Sequence, residues 1–165
     1  MAAASSKDLS ELFVDTLKDI YYAEKKILSA LPKMAKAAQS PALKAAFEKH
    51  EGETEAQVER LEQVFDLVGV AARGKKCEAI EGIIDEGKEI MQEYKGSPAI
   101  DAGLLAAAQA VEHYEISRYG TLKEWAGRLG HKQAVSLFDQ TLREEIKTDS
   151  DLTKIAESAV NAEAA

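Results

Sequence analysis

Two glutamates three residues apart, Glu112 and Glu115, stand where a buried helix face should carry apolar side chains. From Leu105, positions at alternating spacings of three and four residues are Leu105, Ala108, Glu112, Glu115, Tyr119, Leu122, Ala126 and Leu129. This is an apolar seam with two carboxylates at its middle. Burying apolar surface gains about 25 cal/mol per Å². An unpaired carboxylate in the same place costs several kcal/mol unless a proton, a cation or a metal neutralises it. Residues three apart share a helix face, and like charges that close resist joint ionisation unless something positive lies between them. The chemistry this favours is cation binding.

The same break recurs elsewhere. Glu24 is the charged member of a stripe through Phe13, Leu17, Ile20, Ile27, Leu31, Met34 and Ala38. A second stripe, through Leu43, Phe47, His50, Glu53 or Thr54, Gln57, Leu61 and Val64, turns polar at its middle. A last stripe carries Phe138, Leu142, Glu145, Asp149, Leu152 and Ala156. The candidate metal ligands are therefore Glu24, His50, Glu53, Glu112, Glu115, Glu145 and Asp149. Oxygen donors with some imidazole suit iron or manganese better than a thiolate-type zinc site. Two divalent ions sharing bridging carboxylates would balance four negative charges, with iron favoured over manganese.

Helix-bundle dinuclear sites take a Glu from each of two helices and a Glu-x-x-His from each of the others. Here His50 precedes Glu53 instead of following it, and the last helix has no inward His. Glu144 competes with Glu145 for the inward position. His113 faces away from the Glu112 stripe, and His131 lies at a helix start as a solvated residue. Tyr22, Tyr114 and Tyr119 are assigned to packing, with hydrogen bonding to a metal site as the alternative. Cys77 is a small core residue.

These side chains need long helices to hold them. Hydrophobic periodicity predicts four, over residues 7–39, 41–68, 98–129 and 131–160, with a shorter helix over 77–94. Ser40-Pro41 and Ser97-Pro98 are start signals, Pro32 predicts a kink near Leu31, and residues 161–165 are expected to fray. Tight links inside each long pair and a long crossover between pairs predict an all-α, ferritin-like four-helix bundle spanning 1–165 as one domain. A shift of 91 residues superposes Glu24 on Glu115, Leu31 on Leu122, Phe47 on Phe138, Glu53 on Glu144 and Leu61 on Leu152, so the halves repeat.

A net charge of −8 disfavours nucleic-acid and anionic-membrane partners. One cysteine permits no internal disulfide and indicates a reducing compartment. Met1 to Asp8 has neither the basic flank nor the apolar core of a signal peptide, and no apolar run approaches the ~20 residues of a membrane span. A cytoplasmic protein is expected.

Five segments, Asp19 to Lys25, His50 to Arg60, Cys77 to Ile84, Val111 to Ile116 and Thr141 to Asp149, resemble the bacterial YciE/YciF-type ferritin-like family. The resemblance implies a rubrerythrin-related bundle, a homodimer, a dinuclear metal site and a stress association. It places Asp149 where rubrerythrin carries His. Two functions follow as expectations. One is a metal-dependent protein reacting with oxygen or peroxide. The other is a non-enzymatic dimeric stress or structural protein whose metal is vestigial or only stabilises the fold, with an apolar stripe of the 77–94 helix as interface.

Overall fold

Asp8 opens the first helix by accepting the Glu11 amide while the Glu11 carboxylate accepts the Asp8 amide, a reciprocal cap that satisfies two otherwise orphan donors. The computed structural model describes residues 7–165. For residues 1–6, the reading of the N-terminus as lacking a signal peptide lies outside that range. Helix α1 (Leu9–Ala37) runs unbroken through the exposed Pro32. Helix α2 (Pro41–Val68) begins with Ser40 as cap and Pro41 at its first position, and it ends at Gly69, whose φ of +70° is left-handed.

The crossover carries α3 (Glu78–Glu93). Helix α4 (Ile100–Arg128) starts later than its Ser-Pro signal predicts. Ser97 Oγ accepts the Ala99 amide and Ser97 O accepts the Ile100 amide, so Ser97-Pro98 forms a turn that precedes the helix. Helix α5 (Lys132–Ile155) widens into a π-type turn at Ala156–Val160, and Asn161–Glu163 keeps helical geometry where fraying was expected.

The architecture is the all-α bundle that periodicity predicts. Helix α1 packs on α2 and α4, and α5 packs on α2 and α4. Asp101, at the start of α4, accepts the amides of Gln39 and Ser40 at the end of α1, so α1 and α4 are antiparallel. Arg60 and Gln57 on α2 reach Thr141 and Glu144 on α5, which makes that pair antiparallel too. With tight links inside each pair, α2 and α4 run parallel across the diagonal.

Phe13, Leu17, Ile20, Phe65 and Phe138 fill the end of the bundle nearest the start of α1. Phe13 meets Phe138 edge-on at 6.2 Å and stacks on His131 at 5.8 Å. His131 is therefore half-buried packing at the head of α5 and not a solvated side chain. Helix α3 lies across α1 and α4. Its apolar residues Ile80, Ile83, Ile84, Ile90 and Met91 all pack inward, so it presents no exposed apolar stripe, which corrects that expectation. No described helix is long and apolar enough to cross a membrane.

Candidate metal centre

Alternating steps of three and four residues decide which side chains enter the bundle axis. On α2 the buried series is Leu43, Phe47, His50, Thr54, Gln57, Leu61 and Val64. On α5 it is Ala134, Phe138, Thr141, Glu145, Thr148 and Leu152. Glu24 on α1, His50 on α2, Glu112 and Glu115 on α4 and Glu145 on α5 are all buried, and Glu24, Glu115 and Glu145 are 0 % exposed. Ligand-type atoms of His50, Glu112, Glu115 and Glu145 lie within 4.8 Å of one another. His50 Nε2 is 3.2 Å from Glu112 Oε1 and 3.7 Å from Glu145 Oε2.

Glu24 joins beside Glu115 and accepts a hydrogen bond from the Tyr119 hydroxyl. Two further sequence candidates lie outside that four-residue group. Glu53 is one step off the α2 stripe, 26 % exposed, bonded to Lys49 and 3.5 Å from His50 Nδ1. Asp149 is one step off the α5 stripe. It pairs with the exposed His113 at 3.2 Å and accepts from Gln109 at 3.0 Å, away from the four-residue cluster. Cys77 is buried, with Sγ 3.2 Å from the Tyr114 hydroxyl.

Electrostatics set the protonation of the cluster. Burial pushes the Glu24 carboxyl up to about 7 against the lowering effect of the Tyr119 hydrogen bond. Burial, then the neighbouring Glu24, Glu145 and Glu112, hold Glu115 well above the carboxylate range. Glu145 is raised likewise by burial, with His50 opposing. For His50, burial alone would lower the value, but the Glu112 and Glu53 carboxylates, 3.2 and 3.5 Å away, outweigh it and keep the imidazole well above its usual range. Glu53 is pulled down to about 2, chiefly by His50.

Even so, both His50 nitrogens, Glu24 Oε2, Glu53 Oε2, Glu112 Oε2, Glu145 Oε2 and both Glu115 oxygens are buried without a well-formed hydrogen bond among the described residues. Buried polar atoms are rarely left so. A group of orphaned carboxylate oxygens around an imidazole is a donor set that fits a divalent cation.

Residues behind the cluster hold it. Gln57 Nε2 donates to Glu145 and, at 3.2 Å, to Glu144, which a two-pronged Arg60 grips at 2.7 Å through both oxygens. Sequence reasoning placed Gln57 on the stripe without giving it a task. Its signal was an amide on an otherwise apolar seam. Arg60 sits three residues later, toward α5. Tyr119 does both things considered for it, since its ring is buried core and its hydroxyl serves Glu24.

Residues 8–165 match the family described as "Domain of unknown function (DUF892)". The chain belongs to the DUF892 family. It is 42 % identical to Protein YciF of Escherichia coli (strain K12) over 159 residues, 96 % of each chain. The crystal structure of the E. coli stress protein YciF superposes with a TM-score of 0.90 at 41 % identity, covering 94 % of this chain and 99 % of that one. YcfI, titled a putative structural protein, from Rhodopseudomonas palustris superposes with a TM-score of 0.85 at 41 % identity, over 93 % and 98 %. The YciE/YciF-type resemblance is thus established.

In this DUF892 chain burial decides the competition on α5. The repeat, which matches Glu144 to Glu53, favours Glu144, and the apolar stripe favours Glu145, the residue that is buried. Glu53 and Glu144, superposed by the shift, both lie off-axis, 26 % and 24 % exposed. Their neighbours Thr54 and Glu145 are the buried pair. Along the α2 and α5 stripes the duplication is kept in burial from Leu43 and Ala134 to Leu61 and Leu152, and broken in chemistry. Thr54 stands opposite Glu145, and His50 opposite Thr141.

Proposed function

We propose that this DUF892 protein is a stress-associated, ferritin-like metal protein whose buried centre takes two divalent ions, iron in preference to manganese, and reacts with oxygen or peroxide. The observation that carries the metal reading is the convergence of His50, Glu112, Glu115 and Glu145 within 4.8 Å with orphaned donor atoms. These four would hold one ion, and Glu24 beside Glu115 would extend the site to a second. Bound iron or manganese would supply redox steps that no side chain here offers alone. Gln57 fixes the rotamer of Glu145 and Tyr119 that of Glu24, as supporting residues of metal sites do. Protons held by Glu24, Glu115 and Glu145 would leave on binding, so affinity rises with pH.

Metal analysis of protein loaded with Fe(II) or Mn(II) and then desalted tests the reading, beside Glu115→Ala and Glu145→Gln. Retention by the parent and loss in both variants is expected. A parent that keeps no metal overturns it. Peroxide consumption by the loaded protein is measured separately.

A second reading is favoured by the position of the cluster, where all four long helices meet and an ion would cross-link them. The metal then only stabilises the bundle, and chelation lowers the melting temperature of a protein that consumes no oxidant. Homodimerisation, proposed from the family resemblance, is read by light scattering coupled to size exclusion.

A further inference from the structure

Where α1, α3 and α4 meet, the facing residues are unusually small: Ser29 and Ala30 on α1, Gly87 on α3, and Ala107 and Ala108 on α4. Protein interiors are close-packed, with few voids larger than a water molecule. Here the missing side-chain volume leaves a cavity of about 160 Å³. Ile27, Leu31, Met34, Ile84, Met91 and Val111 form its apolar wall, and His50 and Glu112 form its buried inner end. Lys26, Lys33 and Lys88 stand at the mouth. Lys26 is paired with Glu81 at 2.9 Å and Lys88 with Asp85 at 2.7 Å, so two of these three charges are already compensated.

Size, lining and the inner end together specify a ligand. Dry apolar cavities of about 150 Å³ hold molecules the size of benzene, so the body has about six to ten non-hydrogen atoms. A mouth whose charge is largely neutralised does not select an anion. The inner end is closed by two buried polar residues, His50 and Glu112, 3 % and 2 % exposed, each carrying polar atoms without a well-formed partner. Such atoms favour a guest with one polar oxygen at its leading end.

We infer that this cavity binds a small neutral organic molecule with an apolar body and a terminal hydroxyl or hydroperoxyl group, its oxygen directed at His50 and Glu112. The binding rests on the cavity and its polar inner end. Only the further statement that the occupant is an organic hydroperoxide rests on the peroxide reading proposed above.

The test uses chelator-treated full-length protein titrated with benzyl alcohol and followed by methyl NMR of the Ile and Met residues. Saturable shifts confined to Ile27, Ile84, Met34 and Met91, with a Kd of about 1 mM or tighter, are expected. Ala108→Leu fills the cavity and should weaken binding about tenfold. Ala107→Leu, at a half-buried site, tests the same volume should the first variant fail to fold. Toluene, the same ring without oxygen, should bind more weakly, and benzoate no better than the alcohol. Unsaturable or scattered shifts overturn the assignment, as does full binding by both filled variants. Toluene binding as tightly as the alcohol overturns the polar inner end, and tighter benzoate binding overturns the neutral class. Because the protein is metal-free, loss of the metal reading leaves this result standing. Absence of alcohol binding in a protein that retains metal when loaded removes only this inference.

Discussion

Raising the pH of the metal-free protein should unfasten the bundle from its centre. Glu24 holds its proton to about pH 7 in the fold, against an ordinary value of 4.5 in the unfolded chain. Between those values the folded state binds a proton that the unfolded state has lost, so stability is full below 4.5 and declines as pH rises toward 7. At 1.36 kcal/mol per unit the decline from Glu24 is about 3 kcal/mol. Glu115 and Glu145 are raised in the same direction for the same cause, and His50, also raised, loses its stabilising proton as pH climbs further. The carboxylates held low act elsewhere. Glu53 and Asp151, each at about 2, finish ionising in the unfolded chain within about one pH unit above 4.5, so they add only a small opposing rise at the acid edge of the interval. Urea denaturation followed by circular dichroism, on chelator-treated protein from pH 4.5 to 7.5, should show a fall of at least about 3 kcal/mol. Glu24→Gln should flatten it by that amount. Stability that is level or rising across the interval would refute the argument, because it would mean that the buried carboxyls are already ionised and paired.

Three further outcomes follow from single contacts. Tyr119→Phe leaves Glu24 without its buried donor and should cost about 1–3 kcal/mol in chemical denaturation, while an unchanged midpoint would mean that the bond contributes nothing. Gln57→Leu frees Glu145 and should weaken metal affinity about 10- to 100-fold in a chelator competition; equal affinity would show that Glu145 is held without it. Gly69→Ala puts a side chain at a φ of +70° and should cost about 1 kcal/mol in thermal melts, with no loss if the α2 terminus relaxes.

The bundle was legible because four seams repeat at helical spacing and their links differ so much in length. Glu112 and Glu115 were found for the same reason, as charges on an otherwise apolar seam. Glu53 and Asp149 were harder to place. On α2 the axis-facing step runs from His50 to Thr54, and on α5 from Glu145 to Thr148, so each neighbouring acid is rotated off the axis by one residue. Threonine hides this in sequence, because it reads as polar yet buries well once its hydroxyl is bonded. Thr54 donates to the His50 carbonyl, and Thr141 accepts from Arg60. The small-residue cavity under α3 was not legible, since it requires three helices to bring separate alanines, a serine and a glycine together. Nor was the inward packing of α3, whose amphipathic pattern suits a covered face and an exposed one equally.

The broken repeat gives the centre a left and a right. A duplicated helical pair builds a frame whose halves are interchangeable, down to Phe47 matching Phe138 and Leu61 matching Leu152 in burial. Yet the α2 corner is furnished with an imidazole and the adjacent α5 corner with an extra carboxylate. Anything lodged between them meets a dipole running from the α2 side to the α5 side, not a mirror. Two guests placed there would meet different donors. Directionality is thus set by two residue pairs in a scaffold that otherwise has none.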